Sequence, residues 1–305
     1  MARQDVVCMM RIRNEARWIA RSLARTFQVC QKVVLWDDGS NDGTEQEVLQ
    51  FVTGSRDLGE LSTLVQCRPW GWVQKSEFGS LLPSNPFELH YLYSPFRPAV
   101  RDKQNVSEIR DKNALWEYLK AQVQFRHVLC LDGDEVLSER LVQRFDKLIN
   151  TMEQGVCDIF TMPFIYLWDT EAQRRTDGLY GDETMNDQGL VPRLRFPRLF
   201  TIDRITAQQL FDMRFAWLGS LGGFHCGSVP RENFQPLGKD PVGGTAAHPI
   251  VHFGYLHAAD RQAKFEFYNR IDPNNEFEGC YRHIIGEPDR HAPGPVVLVP
   301  WEDTV

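Results

Sequence analysis

The stretch CLDGDEVL places three acids, Asp132, Asp134 and Glu135, within four positions, directly after the apolar run HVLCL. Like charges this close at the end of a buried strand repel one another unless a cation or a solvated turn relieves them. An Asp-x-Asp on a tight turn offers hard oxygen ligands to Mn²⁺ or Mg²⁺, directly or through water. A cation held there clamps a diphosphate and takes up the charge that develops as it departs. Gly133, between the two aspartates, lets backbone and phosphate approach closely. A solvated helix start looks the same in isolation, so the elements around the acids must decide.

DVVCMMRI reads as a first strand. In NEARWIARSLARTF, Ala16, Ile19, Leu23 and Phe27 share one helical face, with Asn14 as the expected N-cap. KVVLW is a second strand, apolar throughout as parallel strands are, and the turn DDGSNDGT leads into the helix TEQEVLQFV. LSTLVQC is the expected third strand, and residues 69–104, rich in Pro, Gly and aromatics, read as an irregular insertion. NVSEIRDKNALWEYLKAQVQF restores a helix with the stripe Ile109, Trp116, Leu119 and Val123. HVLCL is the fourth strand and SERLVQRFDKLINTM the next helix.

This alternation predicts an α/β fold, with a Rossmann-like, mostly parallel sheet and helices on both faces. Beyond it, DIFTMPFIYLW and LVPRLRFPRLF read as strands of a smaller mixed sheet with no clear helix between them. The helix DRQAKFEFYNRID and a Pro-rich extended tail follow. The expected division is residues 1–155 and 156–305, as two halves of one continuous domain.

In open parallel sheets, ligands gather beyond the carboxyl ends of the strands. RIRNE, WDDGS and LDGDE all fall on that edge. In order and spacing, RNEARWIARSLA, VVLWDDGSNDGT, EIRDKNALWEYL and HVLCLDGDEVL resemble the family 2 glycosyltransferases of the GT-A fold, over roughly the first half of the chain. The resemblance implies an inverting transferase that uses a nucleotide diphosphate sugar, a UDP-sugar first, and an acceptor hydroxyl on a glycan or lipid-linked glycan. It assigns Asp38 to the nucleobase, Arg13 to Glu15 to the loop bordering the nucleoside, and Arg110 to the base or phosphates. Asp134 becomes the principal metal ligand, with Asp132 near the ribose and metal.

In the second half, PRLF, FHCG and IVHFGYLHAADRQAKFEFYNRID resemble the tail of bacterial lipopolysaccharide-core glucosyltransferases in the same family. That likeness implies that His252 completes the metal site and that Lys264, or Arg261, faces the diphosphate. The family's His-Glu pair stands here as His225-Cys226. Inversion also needs a carboxylate to take the acceptor proton. LWDTEAQRRTDGLYGDE offers Asp169, Glu171, Asp177, Asp182 and Glu183, and Asp177 is the expected base.

With 305 residues, 42% hydrophobic and 25% charged, the chain has the composition of a globular protein. A formal net charge of −7 gives no general attraction to nucleic acid or anionic lipid. RRTDG and RLRFPR keep one alternative open, a transferase acting on hydroxymethylated DNA bases. A nucleotidyltransferase should carry a Gly-rich triphosphate loop near its start, and MMRIRNEARW has no Gly. A non-catalytic nucleotide-sugar-binding protein is the remaining alternative. Seven scattered cysteines without a CxxC pair fit free thiols in a reducing compartment. No stretch is long enough for a membrane span, so the expected location is cytoplasmic, with room for peripheral attachment to the inner membrane.

Overall fold

A computed structural model describes residues 2–54, 66–68, 71–76, 87–95, 107–185, 189–216, 227–230, 242–274 and 280–303. The first half contains β1 (Arg3–Ile12), α1 (Ile19–Thr26), β2 (Cys30–Asp37), α2 (Thr44–Thr53), β3 (Gln66–Arg68), β4 (Gly71–Ser76) and β5 (Phe87–Tyr93). It continues through α3 (Glu108–Gln122), β6 (His127–Asp132), β7 (Glu135–Leu137) and α4 (Glu139–Glu153). The second half adds β8 (Ile159–Trp168), β9 (Thr170–Arg175), β10 (Asp182–Met185), β11 (Gly189–Pro192), β12 (Arg195–Thr201) and α5 (Ala207–Asp212). It closes with β13 (Gly243–Thr245), β14 (Ile250–His252), α6 (Ala258–Ile271) and β15 (Leu298–Pro300).

The expected mixed α/β architecture is present. The large sheet runs β15-β9-β8-β12-β6-β1-β2-β5-β4-β3. Its centre, β6, β1, β2 and β5, is parallel, and the flanking strands β12 and β4 join antiparallel. Strand pleating sends alternate side chains to opposite faces, and β1 shows why both faces carry helices. Val6, Cys8, Met10 and Ile12 share a core with residues of α1, α2 and α4, whereas Val7 and Met9 share one with residues of α3. Trp116 of α3 is fully buried there, and its indole N–H donates to the Met213 carbonyl at 3.0 Å.

Three expectations change. The parallel partner of β2 is β5, with Lys32 opposite Glu88 and Asp37 opposite Tyr93. It lies inside the stretch expected to be irregular, because FELHYLY has strand-forming aromatics that Pro- and Gly-rich surroundings conceal. Of LSTLVQC, only Gln66 and Cys67 are described, at the start of β3, which pairs with β4. Second, α1 begins at Ile19, so Asn14 is not its N-cap. Asn14 is left-handed (φ 56°), and its side-chain carbonyl accepts the Asn41 N–H at 2.9 Å. The loop after β1 is thereby tied to the loop after β2. Third, β8 and β12 extend the main sheet instead of forming a separate one.

The Asp-x-Asp turn joins β6 to β7. Short as it is, β7 pairs antiparallel with β14, setting Val136 opposite Val251 and Glu135 opposite His252. The Phe253 N–H donates to the Asp134 carbonyl at 2.9 Å. No helix among the described residues is long and apolar enough to cross a membrane.

Candidate active site

The end of β2 supplies Asp37 and Asp38. Asp37 is a turn anchor: it accepts the Tyr91 hydroxyl and the Ser40 N–H, both at 2.7 Å. Asp38 is 1% exposed and accepts from Arg11 Nη2 at 2.5 Å. Arg11 Nε donates to Asp111 Oδ2 at 3.0 Å, so one guanidinium joins the ends of β1 and β2 to the first turn of α3. Burial raises the Asp38 pKa to about 6 against the pull of Arg11. Arg110 donates to Asp111 Oδ1 from Nε at 3.2 Å and from Nη2 at 3.0 Å, beside this cluster.

The end of β6 supplies the Asp-x-Asp. Asp134 is 3% exposed, with Lys264 Nζ at 2.6 Å and His252 Nε2 at 3.5 Å, both from Oδ2. Burial alone would raise its pKa, but the Lys264 ammonium holds it well below the usual carboxylate range. Burial lowers the His252 pKa to about 4 despite Asp134, so its imidazole is neutral at pH 7, and its Nδ1 has no hydrogen-bond partner among the described residues. Glu15 folds over the turn. Burial, then Asp134, raises its pKa. A Cβ on Gly133 would come within 2.6 Å of the Glu15 Cγ, so the loop after β1 closes here only over glycine.

Asp132 is more open, its side chain 42% exposed. Glu135 turns the other way: its carboxylate accepts the Asp132 N–H at 3.0 Å and pairs with Arg198 of β12. Arg198 is buried, donates to Ser228 Oγ at 2.6 Å and lies 3.5 Å from Asp132 Oδ2. Burial opposes its charge, but Glu135 and Asp132 hold its pKa above the ordinary arginine range. The acids therefore tolerate one another because Lys264 and Arg198 approach from separate strands and helices.

A divalent cation fits this chemistry. Asp134 Oδ2 and the neutral His252 Nε2 are 3.5 Å apart, close enough to share an ion at about 2.1 Å from each, with Asp132 open beside them.

These groups open into a cleft of about 790 Å³. Arg13, Glu15 and Arg17 form one wall, Asp132, Asp134 and His252 the floor, and Asp260, Lys264, Phe267 and Arg270 of α6 the other wall. Phe267 lies under both Arg13 (5.8 Å) and Arg270 (5.6 Å). Burial, together with the positive charges of Arg11 and Arg270, disfavours the charge on Arg13, which marks the spot as attractive to an anion. A larger cavity of about 840 Å³ beside α4 is lined by Arg140, Arg144, Lys147 and His248 together with Glu302 and Asp303, away from the Asp-x-Asp turn.

Of the residues singled out from sequence, Arg13, Glu15, Asp132, Asp134, His252 and Lys264 line the same cleft. Asp38 sits directly behind Arg11, and Arg110 behind Asp111. Arg261 points elsewhere: it donates to Asp169 at 2.8 Å and covers the Trp168 ring at 3.9 Å. Asp177 does not line the cleft. Both its oxygens are held by Arg175, at 2.8 and 2.6 Å, and one also accepts the Val297 N–H at 3.0 Å. Asp169, Glu171 and Asp182 are paired with Arg261, Arg21 and Arg174, the side chain of Glu183 is not described, and His225-Cys226 lies outside the described residues. Sequence reasoning missed Arg11, Arg198, Gly254, Asp260 and Arg270. A cation inside an otherwise apolar strand was the available signal for Arg11 and for Arg198.

No model of a known protein family matches the chain, and no curated protein sequence does. Among solved structures, it is similar to a crystal structure of S. aureus TarS 1-349, with TM-score 0.41 and 12% identity over 94% of this chain and 70% of that one. It is also similar to a crystal structure of S. aureus TarS, with TM-score 0.42 and 14% identity over 92% of this chain and 45% of that one.

Proposed function

We propose that this chain is a glycosyltransferase that moves a sugar from a UDP-sugar to an acceptor hydroxyl on a glycan or lipid-linked glycan. One observation carries the reading. At the carboxyl edge of a parallel sheet, Asp134 of an Asp-x-Asp turn meets Lys264 and a neutral His252 in one cleft, beside the buried Asp38–Arg11 pair.

The roles follow from position. Asp38, although 1% exposed behind Arg11, is the carboxylate we assign to the edge of the nucleobase. Lys264, with Arg13 and Arg270 further along the cleft, supplies fixed positive charge for the diphosphate. Asp134 and His252, with Asp132, would hold a divalent cation, which neutralises charge on the departing diphosphate. An imidazole ligand favours Mn²⁺ over Mg²⁺. The acceptor proton needs a carboxylate on the cleft wall, and Asp177 is engaged elsewhere. Asp260, in the first turn of α6, meets this need: it pairs with the exposed Arg17 at 2.6 Å, so it can turn towards an acceptor. Attack from the face opposite the diphosphate inverts the sugar.

The test is a mass-spectrometric screen of nucleotide sugars with and without Mn²⁺, reading released UDP and transferred or hydrolysed sugar. A UDP-sugar should turn over, and Asp134→Ala should abolish turnover in a protein that remains folded. A protein that binds UDP but turns over no donor would return the chain to a binding role.

A further inference from the structure

A second group of chemistry-bearing side chains lies at the other end of the parallel strands. His127 opens β6 and Asp132 closes it, so about 16 Å of strand separates this group from the cleft. His127 is 0% exposed, and neither ring nitrogen has a hydrogen-bond partner among the described residues. Buried polar groups in native proteins are seldom left so, because the lost hydrogen bonds to water are not replaced. The Nε2 atom lies 3.7 Å from Asp5 Oδ2 and 4.0 Å from Asp203 Oδ2. Asp5, His127 and Glu153 each offer a ligand atom within 4.8 Å of the other two.

Two arginines hold the acids in register without balancing them. Arg3 donates to Asp5 from Nε and Nη2, both at 3.0 Å, and to Glu153 at 2.6 Å. Its Nη1 is 3.9 Å from the exposed Asp146. Arg126 grips Asp203 through two contacts of 2.8 Å. Beside the buried imidazole, the three carboxylates of Asp5, Glu153 and Asp203 thus face the two guanidiniums of Arg3 and Arg126, which leaves one negative charge. Burial lowers the His127 pKa, which keeps the ring neutral and able to act as a ligand.

We propose that Asp5, His127 and Glu153 bind one divalent transition-metal ion, Zn²⁺ in first place, at the amino end of the sheet. One imidazole nitrogen and two carboxylate oxygens form a donor set suited to zinc, and the exposed side at Glu153 leaves the fourth position to water. The ion would staple β1 and β6 to the last residue of α4. The cleft loops grow from the opposite ends of those two strands, so the role is structural support. The residual negative charge and the orphaned imidazole would be answered together.

The experiment uses the full chain carrying Asp134→Ala, which removes a cleft ligand, after chelator treatment. It is titrated with Co²⁺ and then Zn²⁺, with no activity readout, so the outcome is independent of the proposed transferase reaction. One equivalent of Co²⁺ should give the visible absorption of a low-coordinate nitrogen–oxygen site, Zn²⁺ should displace it, and Zn²⁺ should raise Tm. Adding His127→Asn should weaken Zn²⁺ binding at least about tenfold and remove the band. Should that buried substitution prevent folding, Glu153→Gln, at an exposed position, must show the same loss. Absence of the band and of the Tm shift in the parent, or unchanged affinity in Glu153→Gln, overturns the proposal.

Discussion

One methyl group at Gly254 tests the arrangement of the cleft. A Cβ there would stand 1.9 Å from Asp134 Oδ2, 2.3 Å from Lys264 Nζ and 2.9 Å from His252 Cε1. Gly254 is not left-handed, so alanine meets a steric obstacle and not a backbone one. Ordinary contacts lie near 3.5 Å, so Asp134 Oδ2 must retreat by about 1 Å or more, and Lys264 with it. Asp134 is buried with little room to move. Overpacking of this kind costs about 1–3 kcal/mol of stability, and a misplacement of about 1 Å in a catalytic constellation costs about 100-fold in rate. Gly254→Ala should therefore lose about 100-fold in kcat/KM for the donor while the protein stays folded at assay temperature. Gly243→Ala is the matched control, because a Cβ there meets nothing within 4 Å. Both variants need thermal unfolding beside the kinetics. Normal turnover in Gly254→Ala, or a loss no greater than its unfolded fraction, would refute the claim that Asp134, Lys264 and His252 act through this geometry.

The Asp38 pKa of about 6 gives a pH dependence with a definite sign. The folded carboxyl takes its proton near pH 6 and the unfolded one near 3.8, so this group favours the native state as pH falls through that window. UDP binding should do the opposite, weakening about tenfold per unit below pH 6 as the accepting carboxylate is lost; equal calorimetric affinities at pH 7.5 and pH 5 would exclude the role. Asp177→Ala should cost about 3–5 kcal/mol, seen as a fall in Tm, because the fully buried Arg175 loses its partner. A variant that kept its Tm and lost kcat would reinstate Asp177 as the base. Asp260→Asn should show the reverse, a kcat lower by about 10²–10⁴ with UDP affinity and Tm retained, and an unchanged kcat would exclude it.

What the sequence made legible was local and periodic. The apolar runs of β1, β2 and β6 and the stripe of α3 could be read because burial imposes a period on neighbouring residues. The Asp-x-Asp could be placed because it ends such a run. β5 was hidden because FELHYLY is short and lies among turn-forming residues, so no window around it shows a sustained pattern. For Asp177 the hidden element is its partner. Whether a loop acid is available depends on its partner, and here Arg175, two residues away, folds back onto it between the rings of Trp168 and Tyr180. Composition cannot distinguish that lock from an open carboxylate.

The alternation of IVHFGY does survive into the structure, and it shows how a local pattern becomes a site. Val251 and Phe253 pack with Trp18, Val136 and Ile165, while His252 turns to the opposite side, its ring 4.6 Å from that of Tyr166. Pleating explains which way the imidazole points, but not what it meets. That is decided by two three-residue pairings of β14, antiparallel with β7 and parallel with β8, which join segments far apart in the chain. Strand register moves in steps of one residue, and a slip of one would send His252 into the apolar cluster and Val251 towards Asp134. Leu137 opposite Ile250 and Val136 opposite Val251 oppose that slip, because both pairs are buried. The apolar residues of β7 therefore do as much to build the proposed cation site as the acids that precede them. Val136→Lys, which alters no ligand, should weaken Mn²⁺-dependent donor binding, and unchanged metal dependence in a folded Val136→Lys protein would show that register is set elsewhere.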